Sequence, residues 1–414
     1  MTKWVSALAV LLSAVTSARP QPAPPDILSP AGILVEAKTG KVLWAHNPDQ
    51  QRPMASTTKI MTALLVLESG RLNETVQVSA KAAKVAESSL NLKMGEHLTM
   101  DDLLHGIIMR SANDACVVAA EHLDGSVGAF VAQMNARAAQ LGCKHTHFAN
   151  PNGLQATGHY STPRDLATMA RAAMAYPVFR DIVSTPDYTI ERDINKYDRG
   201  LKARDHWFLT HYEGADGVKT GYTRQAGHCF VASATRGGFQ LISVLMHSPN
   251  IKKETRALLD WGFANYRGGV AAKPGRPLAE ATVTSGSAAS VPVGVASPAY
   301  AVVPKDAGAV LVQPEFKPVR APVTAGQVVG RAVLVADGRA VGHVDLIALN
   351  EVDLSPWRKA GRVAVVVLSL GLGGAIVGTA SKVARRRRRR LSARRRRPDP
   401  RRARVREWDD VYPR

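Results

Sequence analysis

Residues 55–62 read ASTTKIMT, and the chain continues ALLVLE. Lys59 therefore opens the buried side of an apolar helix, one turn after Ser56. As a plain helix start, Ser56 is the N-cap and Lys59 lies near the first turn. A helix N-terminus, however, favours an acid over a cation. Residues three apart share one helix face, so Ser56 Oγ and Lys59 Nζ can meet as nucleophile and base. S-x-x-K alone is a common tetrad, and its meaning depends on what surrounds it.

At 414 residues the chain is long enough for roughly two domains of about 100–200 residues each. Its net charge of +20 is unevenly spread. From Lys382 onward there are sixteen Lys/Arg and four Asp/Glu, a net of +12, which leaves +8 for the rest.

Both ends carry membrane signals. Residues 1–18, MTKWVSALAVLLSAVTSA, have a basic start, an apolar run and small residues before the end, as a signal peptide does, with cleavage after Ala18. A Pro-rich leader follows at 19–26. Residues 362–381 contain nineteen uncharged positions, Val363 to Ser381, near the length that crosses a hydrocarbon core of ~30 Å. Trp357 stands just before this segment and an arginine run just after it. The positive-inside rule then keeps the Arg-rich tail, 382–414, in the cytoplasm and the bulk of the chain outside. That predicts a single-pass cell-membrane protein with an extracytoplasmic body. Beside a membrane span, such a tail suits anionic lipid better than nucleic acid, and no nucleic-acid partner is expected. Gly374 and Gly378 form a weak G-x-x-x-G dimerisation signal.

Cys116, Cys143 and Cys229 are odd in number and form no C-x-x-C pair, which favours buried free thiols over a disulfide framework. Twelve histidines include no H-E-x-x-H. The nearest pair, His145 and His147, reads as a surface strand, so no metal or cofactor is expected.

Along the chain, ILVEA and KVLWA form a hairpin around Lys38-Thr39-Gly40. Helical periodicity runs from Ser56 through the 100s to about 142. Ser161-Thr162-Pro163 fits the cap and first position of another helix. YTIERDI, GVKTGYT, GHCFVASATR and FQLISVLMH have strand patterns, and KKETRALLDWGFANY is helical. Helices between strands, with hairpin-like neighbours at the end, make 27–268 an α+β domain. Short β runs separated by Pro and Gly make 272–353 a small all-β domain.

Two further stretches follow S-x-x-K in order: Ser111-Ala112-Asn113 within SANDA, and Lys219-Thr220-Gly221 within ADGVKTGYT. Singly, Ser111 to Asp114 could cap the helix that follows, and Lys219-Thr220-Gly221 could be a strand turning at a glycine. Together with S-x-x-K they form the motif set of serine β-lactamases and penicillin-binding proteins. The wider text, ILVEAKTGKVLWAHN, RPMASTTKIMTALL, ESSLNLKMGEHLTMDDLLHGIIMRSANDACV, NPNGL, HYSTPRDLA, ADGVKTGYT and LLDWGF, resembles the D-alanyl-D-alanine carboxypeptidases. These are the low-molecular-mass penicillin-binding proteins of serine peptidase family S11. The resemblance spans about residues 30–353, since GQVVGRAVLVADGRAVGHVDLIAL is similar to the small β domain of that family.

The resemblance implies a β-lactamase/penicillin-binding-protein transpeptidase-like catalytic domain, a small all-β domain and a C-terminal transmembrane helix. It implies removal of the terminal D-Ala from peptidoglycan stem pentapeptides, and acylation by β-lactams. Ser56 would be the nucleophile, Lys59 the general base and Ser111 the proton relay. Burial and nearby Lys219 would lower the Lys59 pKa. Asn113 would hold Lys59 and the substrate amide. Lys219 and Thr220, with Gly221, would bind the free carboxylate. The backbone N–H groups of Ser56 and Tyr222 would form the oxyanion hole, and Arg204 would border the site. The polar pair usual around that arginine is here Ala203 and Asp205, and an arginine before the last helix is replaced by Lys252 or Lys253.

Two alternatives compete. A serine β-lactamase needs a deacylating carboxylate in E-x-x-L-N spacing, which Glu191 to Asn195 matches. That stretch sits far from its usual place and reads as an exposed strand. A slow-turnover penicillin or wall-binding sensor shares every acylation motif.

Overall fold

The computed structural model describes residues 23–358 and 379–389. The signal-type segment 1–18, residues 19–22 of the leader, the apolar stretch up to residue 378 and the tail beyond residue 389 lie outside the described residues. Among the described residues no single helix is long and apolar enough to cross a membrane. The chain packs as two units. The first contains the chain up to Lys273, Pro298–Gln313 and Val333–His343, and the second contains Pro274–Ser297, Pro314–Ala332 and the chain from Val344.

In chain order the first unit begins with β1 (Ala31–Glu36), β2 (Val42–His46) and α1 (Lys59–Glu68). A small ribbon of β3 (Thr75–Gln77) and β4 (His97–Thr99) precedes α2 (Met100–His105), α3 (Asn113–Asp124) and α4 (Val127–Gln140). Then come α5 (Pro163–Met174), α6 (Pro177–Ser184), the short β5 (Asp187–Thr189) and β6 (Gly200–Lys202), and α7 (His206–His211). A meander of β7 (Ala215–Thr223), β8 (Gly227–Arg236) and β9 (Phe239–Ser248) leads into α8 (Ile251–Asn265).

Five of these strands form one antiparallel sheet in the order β2-β1-β9-β8-β7. The first strand therefore pairs with the last of the meander, which closes the unit on itself. The sheet is apolar on both faces. Along β1, Ile33 and Val35 join one hydrophobic cluster while Leu34 joins another, as the two-residue strand period requires. On one side Leu34, Phe230 and Leu245 pack with Leu258, Leu259 and Phe263 of α8. On the other lies the larger cluster, built around α1 and containing Ile60, Met61, Leu64 and the α5 residues Leu166 and Met169.

Every residue of α1 from Lys59 to Leu67 is buried. Each fully buried Leu or Ile there contributes about 1.5–3 kcal/mol, which makes α1 a rigid post. The Lys38-Thr39-Gly40 stretch is the expected hairpin turn: Gly40 has φ +75°, and the Glu36 carboxylate accepts the N–H groups of Lys38 and Thr39. Thr162 caps α5 by accepting the Asp165 N–H, with Pro163 in the first turn.

The second unit is built from short strands. Residues 279–284 and 290–295 pair antiparallel, residues 293–295 pair with 346–348, and 283–284 run parallel to 319–320. Its core is Ala281, Val283, Val291, Val293, Val323, Ala348 and Val352.

Candidate active site

The site starts in the turn before α1. Ala55 has φ +48°, a left-handed conformation that non-glycine residues adopt sparingly. Residues 55–58 then make a single 3-10 turn, and α1 begins at Lys59, where the Thr58 side chain at the N-cap position accepts no bond from the helix N–H groups. Ser56 is thus not the helix cap. It is half-buried within the turn, and its hydroxyl is free to face Lys59.

Lys59 is fully buried. Its Nζ donates to Ser56 Oγ at 3.0 Å, to Asn113 Oδ1 at 2.7 Å and to the Asn152 carbonyl at 2.5 Å. Two glycines let backbone close around this turn. A Cβ at Gly153 (φ +89°) would lie 2.0 Å from the Ala55 carbonyl oxygen, and one at Gly221 would lie 2.9 Å from the Ser56 nitrogen.

The second wall comes from the SANDA stretch. After α2 the helix loosens into a π turn over residues 106–110, and Ser111 leaves it at φ +63°. Such π turns are frequent at functional sites. Asn113 begins α3 and donates its N–H to the Ser88 carbonyl at 2.6 Å. Asp114 is not a simple cap either: its carboxylate accepts the N–H groups of Leu90, Leu92 and Ala115 and the Ser89 hydroxyl. Asp114 thereby folds residues 88–92 over the start of α3.

The third wall is β7. Lys219 is buried, and its Nζ donates to the Thr220 carbonyl at 3.0 Å. Thr220 is half-buried, and Tyr222 is 62% exposed with its ring centroid 4.6 Å from that of His228. Arg204 is exposed; its N–H donates to the Met109 carbonyl and its Nε to that of Arg110 at 3.3 Å. Hydrogen bonds join Ser56, Lys59 and Asn113 directly. Gly221 abuts the Ser56 amide, with Thr220 and Tyr222 on either side of it along β7. Ser111 and Arg204 border the group through the 109–113 backbone.

Burial, with Arg204 nearby, lowers the Lys59 pKa to about 8 against the weaker pull of Cys116 and Asp114. Lys219 is also lowered, first by burial and then by repulsion from Lys59, with Asp205 opposing. Asp205 is raised by burial, and its Oδ2 has no hydrogen-bond partner. Desolvation without a paired counter-ion penalises both ammonium groups.

The Glu191–Asn195 stretch does not supply a deacylating carboxylate. β5 ends at Thr189, so these residues are loop and not strand. Glu191 is exposed and pairs with Arg199. Arg192 is the inward residue: it forms a fully buried ion pair with Glu96 at 2.7 Å and donates to the carbonyls of Leu90 and Asp198. Asp198 accepts from Arg110, the residue before Ser111.

The sequence alone assigns no role to Asn152 or Arg192, and for Asp114 it offers only a helix cap. For Asn152 the only local signal is the turn-forming Asn152-Gly153 dipeptide, and what matters is a carbonyl, which any residue carries. His145 and His147 hold no shared site: His147 pairs with Tyr160 through the backbone and its Nδ1 faces the Gly158 carbonyl. Among the described residues no group of three His, Cys, Asp or Glu is placed to hold a metal ion. The three cysteines are buried and unpaired.

Comparison with known proteins agrees with this geometry. Residues 17–250 match the family model for D-alanyl-D-alanine carboxypeptidase, peptidase S11. Residues 271–354 match that for the penicillin-binding protein 5 C-terminal domain. The chain is 32% identical over 353 residues to the Bacillus subtilis D-alanyl-D-alanine carboxypeptidase DacF, covering 82% of this chain and 89% of the relative. It is 35% identical over 345 residues to DacA of Haemophilus influenzae, covering 80% and 86%. The crystal structure of penicillin binding protein 5 from Haemophilus influenzae superposes with a TM-score of 0.72 at 33% identity, covering 80% of this chain and 99% of that one. A lysine without a counter-ion beside a serine, walled by SAN and KTG, thus sits in a chain that belongs to the D-alanyl-D-alanine carboxypeptidase family, peptidase S11.

Proposed function

We propose that the chain is a serine D-alanyl-D-alanine carboxypeptidase that works outside the cell, tethered to the membrane. The observation that carries the reaction is the Lys59 Nζ to Ser56 Oγ contact of 3.0 Å, in which Lys59 meets only neutral acceptors.

The substrate is a stem pentapeptide ending in D-Ala-D-Ala. Its terminal carboxylate is held by Lys219 and the Thr220 hydroxyl, a cation and a donor suited to it. That carboxylate favours the protonated form of Lys219. Two neighbouring buried ammonium groups disfavour each other, so Lys59 is the one left neutral. Neutral Lys59 takes the proton as Ser56 Oγ bonds to the carbonyl carbon of the penultimate D-Ala. The oxyanion is met by the N–H groups of Ser56 and Tyr222. The C–N bond then breaks, and the leaving amine takes its proton through Ser111. Free D-Ala departs, leaving an ester on Ser56. Water hydrolyses the ester, with Lys59 again as base, and releases the shortened peptide. Asn113 keeps Lys59 in place and reads the substrate amide, and Arg204 borders the carboxylate end. β-Lactams carry a strained amide and a matching carboxylate, so they acylate Ser56.

Membrane attachment rests on sequence. Residues 1–18 export the chain, 362–381 span the bilayer, and the 382–414 tail faces anionic lipid in the cytoplasm. Labelled penicillin followed by peptide mapping tests the active-site assignment: the adduct falls on Ser56. Truncation after residue 355 tests the anchor, since it releases an active enzyme from membranes. An adduct on Ser56 without release of alanine from pentapeptide would leave the slow-turnover sensor instead.

A further inference from the structure

His159 is buried beneath the nucleophile's turn, and nothing in the reaction above uses it. Its Nδ1 accepts the Ala149 N–H at 3.0 Å. A neutral imidazole has one donor and one acceptor, so Nε2 carries the proton. Nε2 lies 2.8 Å from Thr58 Oγ1 and therefore donates to it. Thr58 Oγ1 in turn donates to the Ala55 carbonyl at 2.8 Å. That carbonyl belongs to the left-handed residue before Ser56, and Gly153 packs directly over it.

The Ala55 carbonyl and the Ser56 N–H are two ends of one peptide plane. Fixing the direction of the oxygen fixes the direction of the N–H. The chain Ala149 N–H to His159 to Thr58 to Ala55 C=O thus ends on the amide that meets the oxyanion in the mechanism above. We infer that His159 is a positioning residue for catalysis, orienting the Ser56 N–H through Thr58. The inference rests on Ser56 being the nucleophile. His159 also joins two sides of the site: Thr58 immediately precedes Lys59, and Ala149 opens the loop whose Asn152 carbonyl holds Lys59 Nζ. Burial, with His147 and Lys59 nearby, keeps His159 down at about 4. It therefore stays neutral and retains the Nδ1 acceptor wherever the enzyme works.

The two ring nitrogens can be tested separately. His159→Gln places an amide N–H near Nε2 and keeps the donor to Thr58. His159→Asn places an oxygen near Nδ1, keeps the acceptor for Ala149, and loses the donor. The measurement is stopped-flow acylation of the full chain by a fluorescent penicillin, separated into the binding constant and the acylation rate constant, with a melting curve for each variant. His159→Asn is expected to lower the rate constant by about tenfold or more, as misdirecting an oxyanion donor does. Its binding constant stays within about twofold, and His159→Gln recovers most of the rate. Thr58→Val should reproduce the His159→Asn loss, Thr58→Ser should not, and the Thr58→Val/His159→Asn pair should lose no more than either alone. Equal rates for all variants would overturn the inference, as would losses in Gln and Asn alike that follow melting temperature and change binding and rate together. If the His159 variants do not fold, the Thr58 pair decides by the same criteria. Ser56→Ala serves as control: an adduct persisting there would refute the nucleophile itself, not the role of His159.

Discussion

Lys59 Nζ lies 3.0 Å from Ser56 Oγ and spends its other two hydrogen bonds on the Asn113 side-chain oxygen and the Asn152 carbonyl, all neutral acceptors. An ammonium buried against three neutral oxygens is held in place without being charge-compensated. That is how one residue can be fixed in position and still give up its proton near neutrality.

The pH profile of acylation follows. Below the Lys59 value of about 8 the neutral, reactive fraction grows about tenfold per pH unit. Acylation by penicillin should therefore rise with pH toward about 8 and level off there. Burial and repulsion from Lys59 lower Lys219 at least as far, so loss of its proton weakens substrate binding over the same pH range, a fall read in the binding constant and not in the acylation rate constant. A flat profile across this range would contradict the account.

Lys59→Arg keeps the positive charge but removes the proposed base, because a guanidinium does not deprotonate in this range. Acylation should fall by about 10²–10⁴-fold. The stopped-flow rate measures this, and near-normal activity would exclude Lys59 as base.

The Arg192–Glu96 pair carries the 190–199 loop. Both side chains are fully buried. Removing one partner alone, as in Glu96→Leu or Arg192→Met, leaves a buried charge and should cost about 3–5 kcal/mol. Changing both together should cost less than either single change, measured by urea denaturation. Equal or additive losses would show that the loop is held by other contacts.

Gly153→Ala is predicted to damage both stability and acylation. The new Cβ would meet the Ala55 carbonyl oxygen at 2.0 Å, in backbone at φ +89°. Backbone strain of about 1–3 kcal/mol comes with displacement of the turn that presents Ser56. A variant that melts and acylates like the parent would refute the packing described.

The cysteines offer a simple solvent test. Cys116, Cys143 and Cys229 are buried and unpaired, and burial pushes the Cys116 and Cys229 thiols up to about 11. A thiol reagent should find no reactive cysteine in the native protein and three in denaturant.

Much of this architecture is legible in the sequence because its signals are local. The hairpin at Lys38-Thr39-Gly40, the Thr162-Pro163 helix start and the β7–β9 meander each follow from nearby residue types. The roles of Ser56 and Asp114 are less so. Both read equally well as helix caps, and neither caps a helix, because tertiary bonds to Lys59 and to residues 89–92 claim their oxygens. The YTIERDI stretch reads as a strand by alternation, yet β5 stops at Thr189. Arg192 turns inward to Glu96, almost a hundred residues earlier in the chain, and no window of sequence contains both. His159 lies inside the recognisable stretch HYSTPRDLA, but its partners, Thr58 and Ala149, come from elsewhere in the chain. A carbonyl ligand such as that of Asn152 leaves no trace in residue identity.

The most direct test of the whole account is alanine release. The purified protein and its Ser56→Ala variant are incubated with a muramyl pentapeptide ending in D-Ala-D-Ala, and the products are weighed by mass spectrometry. The account predicts loss of one alanine with the parent and none with the variant. Alanine release undiminished in Ser56→Ala, or none from a correctly folded parent, would contradict it.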